Sequence, residues 1–277
     1  MPDPTKAARD LLAFYAEAGV DMAVGEEANN FLAPQDKPAA PAATSTPLPR
    51  PSPIRVGAAQ LELGASARSN SAPPPPDTAI MAAREAARSA ATMDELRVIL
   101  EKFEGCALRS TATQLVFADG NPNARVMFVG EGPGYEEDKQ GLPFVGRSGK
   151  LLDQMLKAIG LDRTQVYIAN IVPWRPPGNR TPTPQEAAIC LPFLLRQIAL
   201  CDPDVLVCLG GPSAQTLLNV KEGIMKLRGR WFAFNSGARE IRAMPTLHPA
   251  YLLRTPLAKR NAWRDFLAIK KALSPQA

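Results

Sequence analysis

Residues 126–170 read VMFVGEGPGYEEDKQGLPFVGRSGKLLDQMLKAIGLDRTQVYIAN, and this stretch decides the fold class. Its two ends, Val126–Gly130 and Val166–Asn170, are short apolar runs of the kind that form buried strands. Between them, residues 148–159 have the composition of a helix. The stretch therefore predicts a strand–helix–strand unit, which places two parallel strands side by side under a covering helix.

The same alternation of helix and strand continues toward the end of the chain. Apolar strands that alternate with helices are typical of a parallel sheet covered on both faces, so we expect an α/β fold. The further elements predicted are a helix over Pro184–Leu200, a buried strand over Asp204–Gly210, a helix over Pro212–Leu218, a hairpin over about 226–243, a fourth strand ending at Thr246 and a terminal helix over about 257–273.

The first third of the chain has a different composition. Residues 1–32 contain an amphipathic helical pattern, whereas residues 33–78 hold 11 Pro in 46 positions. So much proline cannot fill a core and is typical of a disordered or extended linker. Residues 79–277 are then the folded domain. Helical composition returns at its start, where Thr92 and Glu95 have the spacing of a capping box.

The overall composition excludes several classes of protein. Hydrophobic residues make up 45% of the 277 residues and charged residues 21%, which is ordinary for a globular protein. No apolar run approaches the ~20 residues of a membrane span, and no secretory leader is visible at the start. The four Cys form no CxxC pair, which argues against a disulfide scaffold. We expect a soluble protein of a reducing compartment.

Charge is distributed unevenly. Residues 1–105 hold 10 Lys+Arg and 14 Asp+Glu, a net of −4, whereas residues 106–277 hold 22 and 13, a net of +9. A basic folded half fits a polyanionic partner, with nucleic acid first in line. A solvated basic surface explains the same feature equally well.

The ends of the predicted parallel strands are where a ligand is expected to bind. GEGPG at 130–134 follows the first strand, but its glycines are not in the G-x-G-x-x-G register and its acidic residue would repel a pyrophosphate. The chain also has no GKS or GKT sequence for a P-loop. A nucleotide cofactor is therefore not expected, and a purely structural tight turn remains an alternative.

Three further side chains follow the strands. His248 is the only histidine and precedes Pro249, which fixes the local turn; a neutral imidazole there can donate one hydrogen bond. Asn170 offers a donor and an acceptor side by side, which suits the edge of a base. Phe144 can stack on a flat ring. Each also has a structural interpretation, as a bystander, a backbone cap and a core residue respectively.

Three motifs together resemble a known family. GEGPGYEEDKQGLPFVGRSGKLL, ANIVPWRPPGNRTPTPQE and TLHPAYLLR, in this order and spacing, are similar to the family 4 uracil-DNA glycosylases, over about Phe103 to Ala272. The resemblance implies a three-layer α/β/α sandwich around a four-stranded parallel sheet. It also implies a monomeric repair hydrolase of the bacterial cytosol. Such an enzyme flips uracil out of DNA, hydrolyses its N-glycosidic bond and leaves an abasic site without cutting the strand; a broadened range that includes other deaminated or damaged bases is a further expectation.

The resemblance implies roles for the matching residues. Glu131 matches the carboxylate that orients the attacking water, and His248 matches the donor to uracil O2. The predicted base-binding positions are Gly132, Glu137, Phe144 and Asn170; the predicted DNA contacts are Lys139, Arg147, Arg175 and the loop Leu252, Leu253 and Arg254, which enters the duplex.

The sequence departs from the family at its iron–sulfur cluster. Cys106 and Cys190 match two of the four cluster ligands, whereas Phe103 and Trp174 replace the other two. Four thiolates are the normal requirement for a 4Fe–4S cluster. We therefore expect the branch of the family that lacks the cluster, and no cofactor.

Two alternatives stay open at this point. The first is a non-catalytic protein on the same fold that binds damaged or abasic DNA. The second concerns residues 1–32, which would dock a protein partner of replication or repair.

Overall fold

The computed structural model of the protein describes residues 76–274. The predicted N-terminal helical segment and all but the end of the predicted linker lie outside the described residues. The helices are α1 (Pro76–Ser89), α2 (Met93–Lys102), α3 (Leu108–Thr111), α4 (Tyr135–Gln140), α5 (Arg147–Ala158), α6 (Pro184–Cys201), α7 (Gly211–Leu218), α8 (Ile224–Leu227), α9 (Pro249–Arg254) and α10 (Lys259–Leu273). The strands are β1 (Asp119–Gly120), β2 (Val126–Gly130), β3 (Tyr167–Asn170), β4 (Val205–Leu209), β5 (Phe232–Asn235) and β6 (Glu240–Thr246).

The six strands form one sheet in the order β1-β3-β2-β4-β6-β5. The four central strands are parallel, because β2 pairs in parallel with both β3 and β4, and β4 does so with β6. The two edge strands run antiparallel to their neighbours. The predicted four-stranded parallel sheet is thus confirmed as the centre of a wider sheet.

The prediction for the end of the sheet was wrong in one respect. The expected hairpin and the expected fourth strand share a strand, since β6 pairs antiparallel with β5 and parallel with β4. The physical reason is that every strand has two hydrogen-bonding edges, so one segment can close a hairpin and extend the parallel sheet.

Successive residues of β2 pack on opposite sides of the sheet, as the two-residue period of a strand requires. Met127 and Val129 join the core formed with α1, α2 and α6. Val126 and Phe128 join a second core with α5 and α10, where Phe128 stacks on Phe266 at a centroid distance of 5.9 Å. Helices therefore cover both faces, which confirms the three-layer α/β/α sandwich.

The start of the folded domain differs from the prediction. Helix α1 begins at Pro76, so the predicted linker, residues 33–78, extends three residues too far. The buried face of α1 carries Ala79, Ala83 and Ala87, which follow a helical spacing of four and join the core. Small residues on that face allow the helix to pack closely, and composition alone did not place its first turn.

The predicted N-cap of α2 is confirmed. The Thr92 hydroxyl accepts a hydrogen bond from the Glu95 N–H at 3.2 Å. The Glu95 carboxylate, however, accepts from the Ala91 N–H at 2.7 Å rather than from the N–H of the cap residue. The reciprocal half of the capping box is therefore displaced by one residue. Among the described helices, none is long and apolar enough to cross a membrane.

Candidate active site

A cavity of about 640 Å³ opens where the four parallel strands end. Five of the predicted catalytic and base-binding residues line it together, namely Glu131, Gly132, Phe144, Asn170 and His248. They come from the ends of β2, β3 and β6 and from the loop before α5. The structure thus brings to one place residues that are as far as 117 positions apart in the sequence.

Gly130 allows two of these side chains to approach each other. It pairs directly with Asn170 across β2 and β3. A Cβ atom at Gly130 would lie 2.6 Å from Cζ of Phe144 and would also overlap Oδ1 of Asn170. Only glycine leaves the space that the phenyl ring and the amide occupy.

Phe144 forms one wall of the cavity. The residue is 5% exposed, and its ring centroid lies 5.5 Å from that of His248, with the planes tilted by 32°. Its backbone φ is +54°, in the left-handed region that bulky residues avoid. Such a conformation costs about 1–3 kcal/mol and persists only where neighbouring contacts hold it.

Asn170 ends β3 with its side chain at the cavity and is 6% exposed. Its Oδ1 atom is buried and has no hydrogen-bond partner among the described residues. Buried amide oxygens are normally paired. Within the described part of the chain, the amide therefore has an acceptor without a partner beside Gly130 at the cavity wall.

His248 is the N-cap of α9, and its Nδ1 atom accepts a hydrogen bond from the Ala250 N–H at 3.1 Å. A neutral ring that accepts at Nδ1 carries its proton on Nε2, which is then a donor. Burial, reinforced by the charge of Arg254, lowers the pKa of His248 to about 4, although Glu137 acts in the opposite direction. At neutral pH the imidazole is therefore an uncharged donor.

Glu131 directly follows β2 and lines the cavity. Burial raises the pKa of its carboxyl above the usual value, and a hydrogen bond with Thr181 opposes that rise. A carboxylate whose pKa is raised by burial is a stronger base than an exposed one. The group can therefore polarise a water molecule or face a developing positive charge.

Glu137 holds the loops of the site. Its carboxylate accepts hydrogen bonds from the N–H groups of Gly134 at 3.1 Å, Val145 at 3.0 Å and Gly146 at 2.9 Å. It also contributes to the cavity wall. Its contacts define a structural role at this site, and its predicted contact with the base stays a prediction.

The three residues of the loop predicted to enter the duplex lie in three different environments. Leu252 is 1% exposed and packs with Leu247 and Ala262, so its prediction as a wedge is wrong: α9 turns this side chain into the core. Leu253, the next residue of the helix, is 37% exposed. Arg254 lines the cavity.

Three predicted phosphate contacts do not form part of the cavity wall. Lys139 and Arg147 are exposed. Arg175 is partly exposed; it donates to Asn179 Oδ1 at 2.6 Å and lies 3.8 Å from a carboxylate oxygen of Asp138. Their contacts with DNA stay predictions.

The sequence-based reasoning missed some cavity residues. Thr181 and Tyr251 line it, and both lie inside the motifs that carried the family resemblance. Arg180, by contrast, is one of the basic residues that the sequence places around the strand ends; it lines the cavity and pairs with Glu186, with 2.6 Å between Nη2 and Oε1. The signal was present in the motifs, but no spacing rule distinguishes a wall residue from its neighbours in an irregular loop.

The four positions at which the family resemblance implies cluster ligands lie in an apolar core. The thiol of Cys190 lies 3.6 Å from that of Cys106, and both residues are buried. Trp174 is buried in the same core, and Phe103 packs edge-on against Phe193 at a centroid distance of 5.0 Å. Within residues 76–274, no three Cys, His, Asp or Glu side chains converge as metal ligands. Two thiols and two aromatic side chains do not fit a four-thiolate cluster.

The fold and the cavity define a class of α/β proteins with a polar cavity at the carboxyl edge of a parallel sheet. The family model described as the Uracil DNA glycosylase superfamily matches residues 117–267, and the chain belongs to this superfamily.

Curated relatives agree with this assignment. The chain is 46% identical over 168 residues to the type-4 uracil-DNA glycosylase of Thermotoga maritima, covering 59% of this chain and 86% of that protein. It is 41% identical over 193 residues to the type-4 enzyme of Sulfurisphaera tokodaii, covering 66% and 88%. It is 40% identical over 182 residues to that of Archaeoglobus fulgidus, covering 64% and 92%. The family resemblance is confirmed at the level of the superfamily.

Proposed function

We propose that the protein is a uracil-DNA glycosylase that hydrolyses the bond between uracil and deoxyribose and leaves an abasic site in DNA. One observation carries the proposal: a carboxylate, an amide, a phenyl ring and a neutral imidazole converge on a single cavity of about 640 Å³. Each group complements a different part of a flipped uracil nucleotide. The names of the curated relatives support the same reaction.

Uracil recognition follows from the edge of the ring. The base presents N3–H between two carbonyl oxygens, and the Asn170 amide offers a buried, unpaired Oδ1 acceptor beside its own N–H donors. Oδ1 accepts from N3–H while Nδ2 donates to O4. Cytosine lacks the N3 proton and carries an amino group at C4, so it would leave the amide mismatched. The Phe144 ring stacks on the face of the base.

His248 acts on the leaving group. Cleavage of the glycosidic bond passes through an oxocarbenium-like sugar and places negative charge on the departing uracil. The Nε2–H donor of neutral His248 stabilises that charge at O2, and no proton has to be transferred. Loss of one such donor from an anion-stabilising site costs about 3 kcal/mol, or roughly 10²- to 10³-fold in rate.

Glu131 acts on the sugar side. Its carboxylate faces the positive charge that develops on the sugar and orients the water that attacks C1′. The water oxygen forms the new bond to C1′, its proton passes to the carboxylate, and the bonding electrons of the broken bond leave with uracil. The strand itself stays intact, since no step touches the phosphodiester.

Access to the cavity requires the nucleotide to leave the stack, which costs a few kcal/mol. Leu253 and Arg254 belong to α9, a helix that contributes to the cavity wall. We assign these two residues to the gap left by the flipped nucleotide and to its phosphates. Lys139, Arg147 and Arg175 supply further phosphate contacts, so binding should weaken as salt rises.

The reaction as proposed uses no cofactor. The residues at the four positions that match the family's cluster ligands do not fit an iron–sulfur cluster, and none of the roles above requires iron. An absorption spectrum and an iron determination on protein purified without oxygen test this directly. Visible absorbance of an iron–sulfur cluster with about four iron atoms per chain, as expected for a 4Fe–4S cluster, would contradict it.

The decisive experiment measures release of free uracil from a uracil-containing oligonucleotide, with alkali treatment to reveal abasic sites. We expect release by the natural chain, and loss on Glu131→Ala and on Asn170→Ala. Glu136→Ala, an exposed glutamate on α4, serves as the matched control and should keep full activity. Strand cleavage before alkali treatment would contradict the monofunctional reaction.

The same samples decide the rival function. Tight binding of abasic DNA with no release of any base would identify a non-catalytic binding protein. We propose a monomeric enzyme and a protein-docking role for residues 1–32; removal of those residues should leave base release unchanged in vitro while altering recruitment.

A further inference from the structure

Arg163 lies outside the cavity wall, in the turn before β3, yet its guanidinium contacts the loop that carries Phe144. It donates hydrogen bonds to the backbone carbonyls of Phe144 and of Pro143, the latter at 3.1 Å. Its remaining bonds go to carboxylates of Asp119 at 2.5 Å and Asp153 at 2.7 Å. Four acceptors therefore fix this guanidinium in one orientation.

The loop has a conformational reason to need such a contact. Phe144 has a positive φ of +54°, which a bulky residue does not adopt unless its surroundings enforce it. Its carbonyl group approaches the backbone of α5 so closely that a Cβ atom at Gly149 would overlap it. On the amide side, the Glu137 carboxylate accepts from the next two N–H groups, those of Val145 and Gly146.

The loop is thus held from two directions by opposite charges. Arg163 binds the carbonyl groups of residues 143–144, and Glu137 binds the N–H groups of residues 145–146. Together these contacts determine the backbone from which the Phe144 ring extends. They also direct the ring toward His248 and Asn170, with which it shares the cavity.

We propose that Arg163 is a positioning residue for the base-stacking ring. It acts through the Phe144 backbone and touches neither the base nor the reacting atoms. The catalytic consequence rests on the proposed function, whereas the restraint of the loop does not depend on it. Asp119 and Asp153 belong to the same device, because they orient the guanidinium.

The test compares Arg163→Met with Arg125→Met. Arg125 is a suitable control because its guanidinium also binds a carboxylate, that of Asp204 at 2.6 Å, and a backbone carbonyl, that of Leu273 at 2.9 Å, but it contacts no part of the 143–146 loop. Two quantities are measured on the full-length protein: kcat/KM for uracil release, and amide hydrogen exchange of a peptide covering residues 143–149.

We expect Arg163→Met to lower kcat/KM by about 10- to 100-fold, the scale of a misplaced contact residue, and to speed exchange in that peptide. Arg125→Met should change neither. In a Phe144→Ala background, Arg163→Met should lower kcat/KM by less than about threefold, because the ring through which it acts is gone. Arg163→Lys keeps the charge and should recover part of the loss.

Two results would overturn the proposal. One is loop exchange in Arg163→Met that matches Arg125→Met; the other is a loss of kcat/KM that is as large without the Phe144 ring as with it. If the natural chain releases no uracil, the proposed function fails, and the exchange comparison still decides whether Arg163 restrains the loop. Should Arg163→Met not fold, Asp119→Asn and Arg163→Lys carry the same comparison.

Discussion

Substitution of Gly130 by alanine should damage the site far more than it damages the fold. The added Cβ would lie 2.6 Å from Cζ of Phe144 and would overlap the amide oxygen of Asn170. Carbon atoms in contact are normally about 3.5–4.0 Å apart, so the ring must move by roughly 1 Å. A displacement of that size at a substrate-positioning group costs about 10²-fold in rate.

The loss of folding stability in Gly130→Ala should matter less than its loss of activity. Overpacking by one methyl group costs about 1–3 kcal/mol. For a domain of this size each kcal/mol lowers Tm by about 2–4 °C, which gives a fall of roughly 2–12 °C. At 25 °C the Gly130→Ala variant should therefore stay folded while its kcat/KM for uracil release falls about 100-fold.

The assay is single-turnover release of uracil from an oligonucleotide, together with thermal unfolding of the same preparation. Gly223→Ala is the matched control, since a Cβ there meets no atom within 4 Å and its φ is not positive. The reasoning is refuted if Gly130→Ala keeps wild-type kcat/KM, because the ring and the amide would then tolerate displacement.

Other outcomes follow from burial and charge. The pKa of His248 falls to about 4 in the folded protein from an ordinary 6.5, so the unfolded chain binds more protons than the folded one between these two pH values. The free energy of unfolding should therefore decline as the pH drops from 6.5 to 4. His248→Gln should flatten that decline in denaturant titrations. No inflection of kcat/KM is expected near pH 6.5. Leu252→Ala should cost about 2–5 kcal/mol of stability, whereas Leu253→Ala should leave Tm within about 2 °C but weaken DNA binding. Removal of residues 1–75 should preserve Tm, whereas removal of residues 1–90 should lower it by exposing the face against which α1 packs.

Much of the sheet could be predicted because its strands are continuous apolar runs bounded by glycine or asparagine. Val126–Gly130 was placed without error, and the strand ending at Asn170 differs only at its first residue. The helix after GEGPG was missed, since α4 has six residues, five of them charged or amide, and shows no apolar period. Short polar helices of this kind are stabilised by contacts that a local pattern does not contain.

The residues of the candidate site also could be predicted only in part. Glu131, Asn170 and His248 could be predicted because each lies within two residues of the end of a strand, and parallel strands end together at one edge. Leu252 could not be placed correctly from its motif, since two adjacent leucines on a helix point about 100° apart and only packing decides which is buried. The support from Arg163 was invisible because it acts across 19 residues through backbone carbonyls.

The β5–β6 hairpin offers a place to attach a reporter without disturbing the chemistry. Its turn, which includes the exposed Ala238, lies at the start of β6, whereas the cavity lies beyond Thr246 at the other end. Seven residues of strand separate the two by about 20 Å. All four native thiols are buried, so Ala238→Cys would give one accessible thiol for a fluorophore or a surface tether, and single molecules could be followed on DNA with the working face free.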